Sequence, residues 1–176
     1  MKLSIIALST VVSAKEGKCT ALAMSGGGSY GAYEAGVLFG LYHSLTDKSE
    51  MEYDVVSGVS AGSINTFAVG VFEIGDEGTM VQTQSDLWAN ITTPEVYINW
   101  PGGMVEGVLK QSGVYNDTPM LDYMKNVLVE FGGLKRKTVV AAVDVNTGTY
   151  HLMNETSPET ARTAVSSSSI PFVFPN

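Results

Sequence analysis

Apolar residues along this chain fall into short runs and helical stripes separated by polar and glycine-rich punctuation. Thr20-Ala-Leu-Ala-Met24 reads as a short buried strand. A helix follows from about Ala32 to Leu45, on which Val37, Leu38, Leu41, Tyr42 and Leu45 recur at helical spacing, the signature of a core-facing stripe. Val55 and Val56 form a second apolar run, and Ala61 to Phe72 reads as a helix rich in Ala, Val and Phe. Met80 to Ile91 is expected to be helical with Trp88 on its apolar side, whereas Thr92 to Gly113 is loop-rich around Pro94, Pro101 and Gly102-Gly103. Asp117-Thr118-Pro119 supplies a capping residue and an early proline. Met120, Tyr123, Met124, Val127, Leu128 and Phe131 then mark a helix that Gly132-Gly133 ends. Val139 to Tyr150 reads as a hairpin turning over Asn146-Thr-Gly148, and Ser157-Pro158-Glu159 is expected to cap a last short helix.

Composition narrows the class. The chain has 176 residues, enough for one domain with a real core and too few for two comfortable ones. Hydrophobic residues make up 44% and charged residues 16%, a globular balance. The net charge of −8 leaves no basic patch to neutralise phosphates, so nucleic-acid binding is not expected. Attraction to strongly anionic membranes is disfavoured for the same reason. No His/Cys/Asp cluster has ligand spacing, so neither a metal nor an organic cofactor is implied.

Met1 to Ala14 reads as a signal peptide: Lys2 gives the positive start, Leu3 to Val12 the apolar run, and Val12-Ser-Ala14 a small-residue cleavage site. A buried first strand is the other reading, since Ile5, Ile6, Val11 and Val12 also suit a sheet. On the first reading the domain runs over 15–176, and the protein is secreted or endolysosomal. Three glycosylation sequons, at Asn90, Asn116 and Asn154, agree with that route and fall at element edges. Cys19 is the only cysteine, which rules out an intrachain disulfide, and with no base nearby it is expected to be a small buried hydrophobe.

Candidate chemistry gathers in two glycine-bearing stretches. Gly58-Val-Ser-Ala-Gly62 spells G-x-S-x-G between an apolar run and a helix, the context of a nucleophile elbow with Ser60 at its tip. Gly58 and Gly62 suit such a turn because a Cβ there would crowd a strained backbone. The earlier cluster, Gly26-Gly-Gly28 with Gly31, admits three readings. As G-x-G-x-x-G it fits a dinucleotide fingerprint, with Glu50 or Glu52 as the ribose acid. As a phosphate loop it fails, since no Gly-Lys-Ser/Thr follows. As an oxyanion loop it would turn backbone N–H groups toward a tetrahedral intermediate. The elbow favours the last, because a dinucleotide domain has no use for it.

Leu22-Ala-Met-Ser-Gly-Gly-Gly-Ser-Tyr-Gly-Ala-Tyr-Glu-Ala-Gly-Val-Leu38, followed by Asp54-Val-Val-Ser-Gly-Val-Ser-Ala-Gly-Ser-Ile-Asn65, resembles the patatin-like phospholipases. Val139 to Tyr150 and Ala164-Val-Ser-Ser-Ser-Ser-Ile-Pro-Phe-Val-Phe-Pro175 are similar to later segments of that family. The likeness runs from about Thr20 to the last residue and is weakest between Glu73 and Leu134. It implies an α/β fold: a mostly parallel sheet with helices on both faces, in three layers. It also implies hydrolysis of lipid acyl esters by a Ser–Asp dyad, with Ser60 as nucleophile and the N–H groups of Gly26, Gly27 and Gly28 as oxyanion hole.

Two features depart from the family's pattern. The dyad acid sits in an Asp-Gly turn after the Pro-Phe-Val-Phe-Pro type of segment, and none of the seven aspartates here is followed by glycine. The expectation is a chain truncated before that aspartate, the alternative a catalytically silent lipid-binding or scaffold form. Tyr30 stands where the family commonly has Arg or Lys, so a neutral acylglycerol or ester is as good a substrate as a phospholipid. Asp144 and His151 would complete a Ser–His–Asp order, but a hairpin with a surface histidine is the plainer reading. His43 is expected to face solvent or to be a satisfied core residue. Trp100 and Met104 either face lipid, giving transient contact with a membrane or micelle surface, or pack their loop onto the core.

Overall fold

The structure is a computed structural model and describes residues 19–175. The signal-peptide expectation for Met1 to Ala14 lies outside the described residues. Four strands form the main sheet in the order β1 (Ala21–Met24), β2 (Val55–Gly58), β5 (Lys137–Val143), β6 (Tyr150–Asn154). The first three are parallel, and β6 returns antiparallel to β5. Seven α-helices surround the sheet: α1 (Gly31–Ser44), α2 (Ala61–Gly70), α3 (Glu77–Asn90), α4 (Thr93–Val96), α5 (Gly103–Lys110), α6 (Thr118–Phe131) and α7 (Thr160–Ser168). A two-stranded ribbon, β3 (Ile98–Asn99) with β4 (Tyr115–Asn116), flanks α5. This is the mostly parallel α/β arrangement that the alternation of elements and the family resemblance imply.

Burial follows the pleat. Leu22, Met24, Val56 and Val140 point into the helix-covered core, while Ala21 and Ala23 between them are exposed. β1 is therefore a half-buried edge strand, not the fully buried one its apolar run suggests. Cys19 is likewise exposed. It precedes β1, where no described element covers it. The core has two lobes around α2. One joins Leu38, Met51, Val69, Phe72, Met80 and Val81 to β1 and β2. The other joins Ile64, Phe67, Met124, Ala164 and Val165 to β5.

Two expected boundaries move for identifiable reasons. The stretch expected to be loop-rich holds α4 and α5. Thr92 N–H and Oγ1 both donate to Glu95 (2.7 and 2.8 Å), so Pro94 stands in a first turn instead of breaking one. Gly103 opens α5 at φ +65, a conformation its lack of a Cβ permits. Ser157 does not cap α7. Its Oγ accepts the Asn154 N–H (3.1 Å), and the helix starts after Glu159.

The amino edge of the sheet is clamped. Arg136, fully buried, pairs with Glu77 at 2.8 Å and donates to the carbonyls of Phe72 (2.9 Å), Tyr53 (3.2 Å) and Glu73 (2.8 Å). The start of β2, the segment after α2 and the start of α3 are thus tied to one guanidinium, whose fork geometry suits several acceptors at once. Nearby, Asp54 accepts from Thr20 N–H (2.7 Å) and Oγ1 (3.1 Å), bonds that hold its carboxyl below the usual range. Replacing Arg136 by Met strands Glu77 in the interior and should lower unfolding free energy by about 3–5 kcal/mol. The double replacement Arg136→Met/Glu77→Leu should recover most of that loss. Urea unfolding of both variants measures it, and a double variant as unstable as the single one would contradict the pairing account.

Candidate active site

β1 and β2 end level, with Met24 opposite Gly58, so the bends that follow them emerge side by side at the carboxyl edge. In open parallel sheets ligands bind at that edge. After β2 the chain reverses at Ser60, whose φ of 54° and ψ of −126° are strained for a residue with a side chain. Ser60 is half-buried, and Ala61 begins α2 directly behind it. The elbow closes through Gly62 N–H to Val59 O (2.9 Å) and Ser63 N–H to Ser60 O (2.8 Å).

Two glycines make this bend fit. A Cβ on Gly58 would stand 2.2 Å from Gly62 O, and one on Gly62 would stand 2.5 Å from Met24 O. Both contacts are with backbone, which cannot swing away. The first glycine loop leans on the same bend: a Cβ on Gly26 would come within 2.9 Å of Ser60 Cβ and 3.6 Å of its Oγ. Gly26, Gly27 and Gly28 are exposed there, and Gly28 has φ +58. Their carbonyls are drawn backward, Gly27 O by Tyr30 N–H (3.1 Å) and Gly28 O by Gly31 N–H, into the turn that starts α1. Among the described residues no hydrogen bond engages the three glycine N–H groups. Ala61 N–H, in the first turn of α2, is one of the donors that no intrahelical carbonyl reaches.

A polar chain that sequence reading missed holds the two bends together. Glu34 on α1 accepts Ser25 N–H (2.8 Å) with one oxygen and Asn65 Nδ2–H (2.9 Å) with the other. Asn65, fully buried on α2, also donates to Gly31 O (3.0 Å) and accepts the Trp88 indole N–H (2.7 Å). The Trp88 ring lies where a Gly31 side chain would be, 2.5 Å from where a Cβ would stand. On the opposite side Ser60 N–H donates to Ser167 Oγ (2.9 Å), which donates to Ala141 O (2.6 Å), and Ser63 Oγ donates to Ala164 O (2.8 Å). Glu34 and Asn65 stand inside the stretches that carry the family resemblance, but only their 31-residue pairing shows what they do.

The other singled-out residues lie apart from this arrangement. Asp144 and His151 share a face of the hairpin, since His151 pairs with Ala142 two residues before Asp144. The Asp144 carboxylate is taken by its own turn, accepting Asn146 N–H (2.8 Å) and Thr147 N–H (3.3 Å). Those bonds hold it below the usual carboxylate range. His151 is exposed, as the plainer hairpin reading has it. No hydrogen bond joins either residue to Ser60 among the described residues. Tyr30 is exposed beside the glycine loop, and His43 is exposed on α1 against Phe39 and Tyr42. Asn90 and Asn154 are exposed and Asn116 is half-buried in β4. Trp100 packs inward, its indole N–H on Gly113 O (3.0 Å), whereas Met104 is exposed.

A serine raised on a strained bend beside a glycine loop, at the carboxyl edge of a mostly parallel sheet, is the layout of an α/β acyl hydrolase. The family follows from comparison: the model of the patatin-like phospholipases matches residues 22–176, and the chain belongs to that family of lipid acyl hydrolases. No match was found among curated proteins.

The strain at position 60 is testable without any substrate. Ser60→Gly relieves the left-handed φ, whereas Ser60→Ala keeps it. The glycine variant should therefore be about 1 kcal/mol more stable than the alanine variant in urea unfolding. Equal stabilities, or a more stable alanine variant, would contradict a strained elbow.

Proposed function

We propose that Ser60 is the nucleophile of a lipid acyl-ester hydrolysis. Its Oγ attacks the ester carbonyl, the alcohol leaves, and water then releases the acyl group. The N–H groups of Gly26, Gly27 and Gly28 receive the negative charge on the carbonyl oxygen. Such donors are each worth about 2.7–4 kcal/mol in the transition state. The observation that carries this reading is the contact of Gly26 with Ser60, which leaves a bare row of glycine amides next to the strained serine. Tyr30 beside that row brings no fixed charge, which favours neutral or zwitterionic esters over anionic ones. A secretory route remains part of this reading, through the signal-peptide pattern of Met1 to Ala14 and the sequons at Asn90, Asn116 and Asn154.

The proton acceptor is the open element. A family aspartate would deprotonate Ser60, and no described carboxylate or imidazole is hydrogen-bonded to Ser60. That observation favours a second reading, a catalytically silent lipid-binding member of the fold. A serine lacking its base loses orders of magnitude in rate, although an oxyanion hole sustains some catalysis. A fluorophosphonate probe separates the two. The hydrolase reading predicts slow covalent labelling at Ser60, absent in Ser60→Ala. A folded wild-type sample that stays unlabelled would overturn it in favour of the silent form.

A further inference from the structure

α5 (Gly103–Lys110) turns its apolar side outward. Met104, Val105, Val108 and Leu109 are between 57% and 75% exposed. At helical spacing these four fall within an arc of about 140°. The helix buries only Gly107, whose missing side chain lets α5 sit on the backbone at Gly113 and Val114, whose carbonyl oxygens a Cβ there would meet at 2.8 and 2.5 Å. Amphipathic helices in globular domains normally face the other way.

The same strip of backbone carries a second apolar projection. Val114 N–H donates to Phe172 O (3.0 Å) and Tyr115 N–H to Val173 O (2.9 Å), which sets Phe172 beside α5. Phe172 is 86% exposed and adopts φ +67, a conformation that costs a side-chain-bearing residue energy. Ile170 next to it is exposed as well. Ser167, five residues before Phe172, accepts the Ser60 N–H, so Phe172 stands at most roughly 18 Å from the elbow's own partner. Tyr30, Tyr33 and Val59, on the glycine-loop side, are exposed as well.

We propose that the outer face of α5, with Phe172 and Ile170, docks the protein on a neutral or zwitterionic lipid surface and presents Ser60 to the esters in it. Charge selects that surface. The chain carries −8 overall, and Lys110 is the one cation on α5, so nothing there recruits anionic headgroups. Glu106 is turned back onto its own helix start, accepting Gly102 N–H (2.6 Å). No described helix is long and apolar enough to cross a membrane, and a short helix with one apolar face suits contact in the plane of the lipid surface. The choice of lipid over another apolar partner rests on the lipid-ester reading of Ser60.

Vesicle flotation of the full chain tests this, using phosphatidylcholine vesicles and the same vesicles doped with phosphatidylserine. Wild type and Ser60→Ala should both float with phosphatidylcholine, and phosphatidylserine should not strengthen binding. Val105→Glu/Leu109→Glu should bind about tenfold or more weakly, because binding scales with the apolar area inserted. Its fluorophosphonate labelling of Ser60 should match wild type. Val108→Gln/Phe172→Gln provides an independent variant that adds no charge. Wild type that fails to float, or both variants floating like wild type, would overturn the proposal. So would a wild-type dimer that the variants split, since a second copy would then cover the face. Lost labelling with retained flotation would instead count against the reading of Ser60.

Discussion

Everything at the carboxyl edge depends on two backbones approaching more closely than side chains allow. Gly62 sits against the Met24 carbonyl and Gly58 against that of Gly62. That contact locks the end of β1 to the bend after β2, and the bend can then hold Ser60 in a strained conformation. Strain of this kind costs about 1–3 kcal/mol and persists only where the surroundings over-determine it. Here they do so from three sides: the glycine contacts, the Glu34–Asn65–Trp88 chain, and the Ser167 bridge to β5.

The two edges of the sheet are built on opposite principles. At the amino edge Arg136 satisfies three carbonyls and one carboxylate, and Asp54 closes β1 onto β2. Those bonds are internal and leave little for a ligand. At the carboxyl edge the donors are unspent. Gly26, Gly27 and Gly28 are exposed there beside half-buried Ser60, and among the described residues no hydrogen bond engages their N–H groups. The buried ion pair and its carbonyl bonds are thus concentrated at the amino edge, which leaves the carboxyl edge polar and accessible. Ester hydrolysis needs such an edge, and the family to which the chain belongs acts on lipid esters.

The sequence discloses this architecture unevenly. β1, α1, β2, α2 and α6 are legible because apolar spacing and glycine or proline punctuation agree there. The elbow is legible because G-x-S-x-G falls between a strand and a helix. α5 is hidden because Pro101, Gly102 and Gly103 look like loop residues and its apolar stripe faces outward, where no core pattern leads one to expect it. Contacts between distant positions are hidden for a simpler reason. Asn65 to Trp88, or Arg136 to Tyr53, become partners only once the strands are in register. Cys19 and the exposed face of β1 illustrate the opposite error, in which an apolar run suggests more burial than an edge strand receives.

A structure of the chain after reaction with a fluorophosphonate decides whether the two bends cooperate, because the adduct places a tetrahedral phosphoryl oxygen where an oxyanion would form. That oxygen should lie within roughly 2.7–3.1 Å of N–H groups from Gly26, Gly27 or Gly28, with the phosphorus on Ser60 Oγ. An oxygen turned to solvent, or an adduct on any other side chain, would contradict that cooperation.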